Sequence, residues 1–414
     1  MSRADLDADE LELPIKRTEG ETLQDRLTSN AYDNILPARY LRKNADGEPT
    51  ETQEELFERV GRNVALAEAV YEADDPVTVT PDQLKPDHPR RDELAEEVFG
   101  KGVTADDEGA ETELTVYNVN KFAFETVVPE LPDDVRQHVE ETADEFQELM
   151  ERLSFMPNSP TLMNAGDELQ QLSACFVDSP ADDIDDIHQT AKEAAQVFQS
   201  GGGMGYAFWK LRPYGDAVGS TGGIASGPIT FMRTFDQMCE TIAQGGARRG
   251  AQMGVMRVSH PDVIQFIHAK NKDVSLANTL RLNDPDDFTH TSFADALDEA
   301  RELIDEDGKV PKHLRNAVEG HLSNFNISVG VTDDFMEALE NDEEFVFTNP
   351  RTEEPHVATP ETEEIYEMFG LGEYVEVGEV LSVPAEELWS QMVDGAYENG
   401  EPGVIYLERV NKQH

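Results

Sequence analysis

Short β-rich runs alternate with stretches of helical period between Ser173 and Val331, and nothing else in the chain narrows its fold as much. The β-rich runs are Ser173 to Val177, Gly254 to Val258 and Asn324 to Val331. Between them, Ile184, Ile187, Ala191, Ala194 and Phe198 share one helical face, and Met232, Phe235, Met238, Cys239 and Ile242 cluster on a second helix from about Pro228 to Gln244. Asp182 or Asp183 stands where the N-cap of the first helix belongs. A chain that crosses over through a helix before its next strand pairs that strand in parallel. The class is therefore α/β, with functional groups in loops at strand ends.

The flanks differ in kind. Upstream, Thr52 to Glu55 is a capping box, and Leu56, Val60, Val64, Leu66 and Ala67 follow at roughly helical spacing. Another helix is expected from about Pro132 to Phe155, with Val135, Val139, Ala143, Phe146, Leu149 and Met150 on one face, leading into the turn-rich NSPTLMNAG of Asn158 to Gly166. Residues 1–30 read as an acidic lead-in and residues 31–150 as a helical N-terminal domain. Within that domain residues 71–115, rich in Asp, Glu and Pro, read as a solvated excursion or linker without elements of its own. Residues 151–414 make a second domain with an acidic, helix-prone insertion at 273–320 and an amphipathic helix from Ala385 to Tyr397. Its closing GVIYLERVNKQH reads as strand followed by loop. A chain of 414 residues exceeds the ~250 to 300 at which a single core stops growing, which fits this division.

Charge is distributed unevenly. The formal net charge is −53, yet residues 201–272 hold eight Lys or Arg against four Asp or Glu, a local balance of +4. The same window contains Gly201-Gly202-Gly203-Met204-Gly205 and Gly245-Gly246-Ala247-Arg248-Arg249-Gly250, so bare backbone amides and guanidinium groups occur together, as anion binding requires. The acid surplus elsewhere repels nucleic-acid phosphates and anionic membranes, and it matches a halophilic surface adapted to concentrated salt. No run of about eighteen apolar residues occurs and the N-terminus is acidic, so neither a membrane span nor a secretion signal is read and a cytoplasmic protein is expected. Two cysteines without a Cys-x-x-Cys pair fit a reducing compartment and exclude a disulfide scaffold or a cysteine zinc site; no metal ligands are assigned.

The motifs NSPTLMNAG, SACFV, SGGGMGYAFWKLRPYGD, STGGIASGPITFM and QGGARRGAQMGVMRV follow one another in this order. In them the chain resembles the large subunit of ribonucleotide reductases, specifically the adenosylcobalamin-dependent class II enzymes. The resemblance covers about residues 36–69, 145–272 and 322–340, and less sharply the last thirty; five ordered motifs are far more specific than a lone glycine fingerprint. It implies a helical N-terminal domain followed by a ten-stranded α/β barrel, of which residues 151–414 would be the first part, about half.

By this resemblance Cys175 is one of the two cysteines that reduce the ribose 2′ carbon and become a disulfide. A thiol on a strand of small residues can approach a sugar closely, and a dithiol supplies two electrons. The alternative for any such residue is a buried, inert thiol, which is the reading for Cys239 on an apolar helix face. Ser159, Ala174, Cys175 and Gly203 match substrate-binding positions, against the alternative of ordinary turn chemistry. Asp182 and Arg212 fall where the family binds the ribose and phosphates of an effector deoxynucleotide; Asp182 could equally cap a helix, and the two roles are compatible. The run from Gln244 to Gly254 matches a mobile loop that senses the effector base. Gln244, Arg248 and Arg249 would face effector or substrate, with helix C-terminal cations as the alternative for the two arginines. His188 reads as a surface residue.

The implied whole enzyme reduces ribonucleotides with adenosylcobalamin, responds to a deoxynucleotide or ATP effector, draws electrons indirectly from a thioredoxin-like reductant, and has effector sites of a kind often found near a homodimer interface. Two features of the family do not occur in these 414 residues: the Asn-x-Cys-x-Glu loop with the radical cysteine and glutamate base, and the partner of Cys175. The C-terminal cysteine pair is missing as well. The chain is therefore expected to be the N-terminal part of a reductase, inactive until joined by the missing C-terminal half. Two alternatives stand beside it: a fragment of a class I large subunit served by a separate radical-generating subunit, and a non-catalytic fragment that binds deoxynucleotides through Asp182 and Arg212.

Overall fold

A computed structural model describes residues 20–413 apart from 220–221, 243–249, 284–291 and 306–307. The chain parts into two compact units between Ala174 and Cys175.

The first unit is built on the helices Gln53–Ala65 and Asp133–Glu151. The capping box forms as read: the Glu55 amide donates to the Thr52 hydroxyl at 3.2 Å, and the Thr52 amide donates to the Glu55 carboxylate at 2.7 Å. Gly61 lets the two helices touch backbone to backbone, because a Cβ there would lie 2.8 Å from the Ala143 carbonyl oxygen. Residues 71–115 correct the expectation of an unstructured excursion. They hold the helix Arg91–Phe99 and an antiparallel pair of Thr78–Val79 with Thr112–Glu113. Of their large apolar side chains, Val79, Leu84 and Leu114 are buried with Ala95, Phe122 and Val139, and Val77, Leu94, Val98, Phe99 and Val103 pack half-buried against them, so a sparse apolar set suffices when most of it is used. The turn-rich NSPTLMNAG also proves helical over Ser159–Asn164, with Asn158 as N-cap accepting from the Thr161 amide at 3.0 Å and a proline at the helix start.

The second unit carries five parallel strands: β1 Cys175–Val177, β2 Gly203–Ala207, β3 Gln252–Arg257, β4 Phe325–Val331 and β5 Gly403–Tyr406, side by side in the order β5-β4-β3-β2-β1. This is the parallel α/β architecture expected from the alternation. The crossovers run through helices Ile184–Gln199, Gly227–Thr241 and Ala385–Asn399, among others. Strand β2 was not expected. Its GMGYA follows a glycine pair and reads as a helix stop, yet Met204, Tyr206 and Ala207 are buried where β2 lies between β1 and β3. The acidic insertion is helical as expected, over Lys272–Asn283, Phe293–Leu303 and Arg315–Gly320. The closing loop is not: Leu407–Gln413 is a helix.

Packing follows the strand period. β3 alternates buried and half-buried residues along its length. Tyr206, Phe208, Phe235 and Phe325 form an aromatic cluster, with the Tyr206 and Phe235 rings 4.9 Å apart edge to face. The buried Tyr206 hydroxyl donates to Gln252 Oε1 at 3.0 Å, and Gln252 Nε2 donates to the Phe235 carbonyl at 3.2 Å, so the polar atoms in this core are satisfied. Among the described residues no helix is long and apolar enough to cross a membrane.

Candidate functional site

Because the strands are parallel, the sheet has one end where all five begin and one where all five finish, and the expected site residues divide between them. Cys175 opens β1 and pairs in register with Gly203, the first residue of β2. Paired strands lie about 4.8 Å apart, which places the thiol-bearing residue beside a residue with no side chain. Cys175 is exposed and Ala174 half-buried. The connection leading into β3 enters at this same end. Gln244, Arg248 and Arg249 lie outside the described residues.

Asp182 and Arg212 stand beyond the other end of the sheet, after β1 and β2 have finished. Arg212 Nε donates to both Asp182 carboxylate oxygens, at 3.0 and 2.8 Å, and the Arg212 amide adds a bond at 3.2 Å. The helix-capping alternative is thereby resolved. Asp183 is the N-cap, accepting from the amides of Asp185 and Asp186 at 2.9 and 3.3 Å, and Asp182 is left for the guanidinium.

Two buried residues missed in the sequence brace this finishing end. His260 Nε2 donates to the Leu211 carbonyl at 2.9 Å while its Nδ1 accepts from the Asp262 amide at 3.0 Å, which fixes the neutral ring in one tautomer. Burial, with a smaller push from His356, lowers the His260 pKa to about 4. Asp262 accepts from the Tyr214 amide at 2.9 Å, and burial raises its pKa to about 7. Gly227 has φ +73°, and a Cβ on it would sit 2.9 Å from Asp262 Oδ2, so only glycine suits that position. A cleft of about 500 Å3 opens over the ends of β2, β3 and β4, but Lys210 and Arg257 share it with Asp334 and Glu353, so it does not select one sign of charge. The signal that could have marked the brace is His-Pro-Asp directly beyond a strand.

Cys239 is buried on the helix Gly227–Thr241, and burial, helped by Asp236, pushes its thiol up to about 11, so it stays protonated and unreactive at neutral pH. His188 is exposed, as expected.

In the first unit Ser159 is the first residue of its short helix, and its hydroxyl is bonded to that of Tyr40 at 2.9 Å. Three cations gather at the other end of that helix. Arg59 Nη1 donates to the Ala165 carbonyl and Nη2 to Leu162 at 3.3 Å, Arg42 donates to Gly166, and Lys85 to Asp167 at 3.2 Å. Glu51 orients Arg59 through two bonds of 2.8 Å and accepts from the Arg42 amide at 2.9 Å.

Two family models match along the chain: ribonucleotide reductase, all-alpha domain, over residues 25–170, and ribonucleotide reductase, barrel domain, over residues 173–414. The chain belongs to the ribonucleotide reductase large-subunit family. Among its relatives is a protein of Thermoplasma acidophilum named vitamin B12-dependent ribonucleoside-diphosphate reductase, 34% identical over 94% of this chain and 40% of the relative. One of the same name from Mycobacterium tuberculosis is 34% identical over 65% of this chain and 29% of the relative. The ribonucleoside-diphosphate reductase large chain of Schizosaccharomyces pombe is 26% identical over 66% and 28%. The chain thus spans well under half the length of these relatives.

Proposed function

We propose that this chain is the N-terminal part of an adenosylcobalamin-dependent ribonucleotide reductase and contributes one of its two reducing thiols. The observation that carries the reading is the register of β1 on β2, which sets an exposed thiol at Cys175 beside the bare backbone of Gly203. Two thiols and a ribonucleotide yield a 2′-deoxynucleotide, a disulfide and water: two S–H bonds and the C2′–O bond break, and an S–S bond, a C2′–H bond and a new O–H bond form. Cys239 is unsuited to be the second thiol, being held in the core. The electron pair is completed by a cysteine of the rest of the enzyme. Adenosylcobalamin, when bound, supplies the radical through its cobalt–carbon bond. The donor set at Cys175, a thiol among backbone amides, suits the reductive step, and the cofactor's own seat is left to the remainder of the enzyme.

Gly203 and Ala174 offer backbone to the substrate beside Cys175, and Ser159 is proposed as a further substrate-binding residue. Asp182 and Arg212 form the effector site, binding the ribose and phosphates of a deoxynucleotide or ATP; their mutual bonds hold both groups ready and leave the Arg212 Nη atoms little engaged, with one bond of 3.4 Å to the Ala217 carbonyl. Gln244, Arg248 and Arg249 belong to the effector-sensing loop. A thioredoxin-like reductant acting indirectly, a homodimer, a cytoplasmic setting and concentrated salt complete the reading, the last supported by the −53 charge.

The test is complementation: the 414-residue chain mixed with the downstream polypeptide, adenosylcobalamin, a dithiol and a ribonucleoside diphosphate in molar salt. Deoxynucleotide that depends on the cofactor supports the proposal. Product formed only with a radical-generating protein subunit would place the chain in class I, and deoxynucleotide binding without any turnover would make it a binding fragment.

A further inference from the structure

The first unit contains a device that neither the family match nor the relatives' names assign. Arg42, Arg59 and Lys85 donate to four main-chain carbonyls, Leu162, Ala165, Gly166 and Asp167, at the end of the helix that begins with Ser159. Leu162 and Ala165 are among the carbonyls a helix leaves without partners at its C-terminus, where cations are favoured, and Gly166 and Asp167 follow directly. The spending of charge is unusual for this chain. It has 33 Lys and Arg against 86 Asp and Glu, yet places three cations, of which Lys85 and Arg59 are nearly buried, on one turn.

Two of the three residues share one carboxylate. Glu51 fixes the Arg59 guanidinium by a two-point bond, with both side chains only 10% exposed, and anchors the Arg42 amide. From the other side, Thr161 Oγ1 donates to the Leu172 carbonyl at 2.8 Å and Asn164 Nδ2 to the Gln171 carbonyl at 2.8 Å, which ties the helix to the segment that follows it. A six-residue helix has no stability of its own in water. Its position is therefore set by these bonds together with the burial of Pro160, Leu162 and Ala165, and the position of Ser159 with it.

We propose that Arg42, Arg59 and Lys85, with the Arg59 guanidinium oriented by Glu51, are positioning residues that fix the Ser159–Asn164 helix and so aim the Ser159 hydroxyl at the ribonucleotide. The aim at a nucleotide rests on the function proposed above; the fixing of the helix does not. Arg59 lies on the helix Gln53–Ala65 and Arg42 on the segment before it, so the turn is tied to both.

Amide hydrogen exchange across residues 159–167 of the 414-residue chain in molar salt decides the first half. Arg59→Gln and Arg42→Gln are expected to speed exchange there at least tenfold, while Arg62→Gln, on the same helix as Arg59 but losing pairs to Glu58 and Glu125 and a contact with the Phe124 ring, leaves it unchanged. Should Arg59→Gln fail to fold, Lys85→Gln removes one bond with the guanidinium pairs intact and is expected to give a smaller rise in the same residues. Unchanged exchange in the Arg42 and Lys85 variants overturns the proposal. The second half is read with ADP as probe. Ser159→Ala and Arg59→Gln are each expected to weaken binding about fivefold, and the double variant to lose no more than Ser159→Ala alone. Losses that multiply would show Arg59 acting independently of Ser159 and overturn the positioning role. If Ser159→Ala binds ADP as well as the parent does, the substrate role of Ser159 falls and the aiming with it, while the exchange result still stands for the helix.

Discussion

The two ends of the parallel sheet are built on opposite plans. At the end where the strands begin, Cys175 and Gly203 meet through ladder hydrogen bonds, and the thiol is exposed. At the end where they finish, side chains are cross-tied: Arg212 to Asp182, His260 to Leu211, Asp262 to Tyr214, Asn349 Nδ2 to Asp216 at 2.9 Å, and the Tyr366 hydroxyl to the Pro261 carbonyl at 3.0 Å. Open backbone suits a site whose ligand must approach closely, whereas a braced end holds its geometry whether or not a ligand is present. If the proposed roles are right, reduction belongs to the open end and effector binding to the braced one.

The largest effect should come from the open end. Cys175→Ser is expected to abolish deoxynucleotide formation in the complemented enzyme while leaving the fold intact. It should also abolish the single thiol equivalent that reacts in the native chain, Cys239 reacting only after unfolding; a native chain that titrates two thiols would erase the contrast between the cysteines.

Packing beneath the sheet comes next. Gly254 on β3 faces Met232 and Phe208, which an added Cβ would meet at 3.1 and 3.3 Å. Gly254→Val is therefore expected to destabilise the second unit by about 1–3 kcal/mol, measured by denaturant unfolding.

The braced end should then show itself in pH dependence. His260 has its folded pKa lowered from 6.5 to about 4, so its contribution is present above pH 6.5 and lost as pH falls through 4. Asp262 has its folded pKa raised from 3.8 to about 7, so its contribution is present below pH 3.8 and lost as pH rises through 7. Over pH 4 to 6.5 the two oppose each other. Asp262→Asn is expected to make stability fall more steeply on acidification, and His260→Gln to make it rise. Identical slopes in both variants would show that this brace is not what couples the finishing end to pH.

The smallest effect separates neighbours. Asp183→Ala should cost about 1 kcal/mol of helix stability without touching the Arg212 bonds, and Asp182→Ala should do the reverse, leaving the cap and releasing the guanidinium. Thermal unfolding of the pair, with deoxynucleotide binding measured alongside, checks the division.

Much of this was legible in the sequence because period and caps are local. The helix after Asp183, the capping box at Thr52, the strand of Phe325–Val331 and the buried Cys239 each follow from residues within one or two turns of one another. What escaped depends on partners far along the chain. Strand β2 is glycine-rich and gains its identity only from β1 and β3 on either side. Arg59 reaches a carbonyl 106 residues away, and His260 one 49 residues away, with no local pattern to announce either. The elements of residues 71–115 escaped for a different reason: composition averages over a segment, whereas a core needs only the few side chains that point inward.

Strand β1 is three residues long, and its faces read exposed, half-buried, exposed. Sliding it by a single residue against its neighbour would rotate the sulfur out of solvent and turn Phe176 into it. The exposure of Cys175 is thus written in main-chain alignment, and a change anywhere that let this short edge creep would bury the thiol without altering the cysteine.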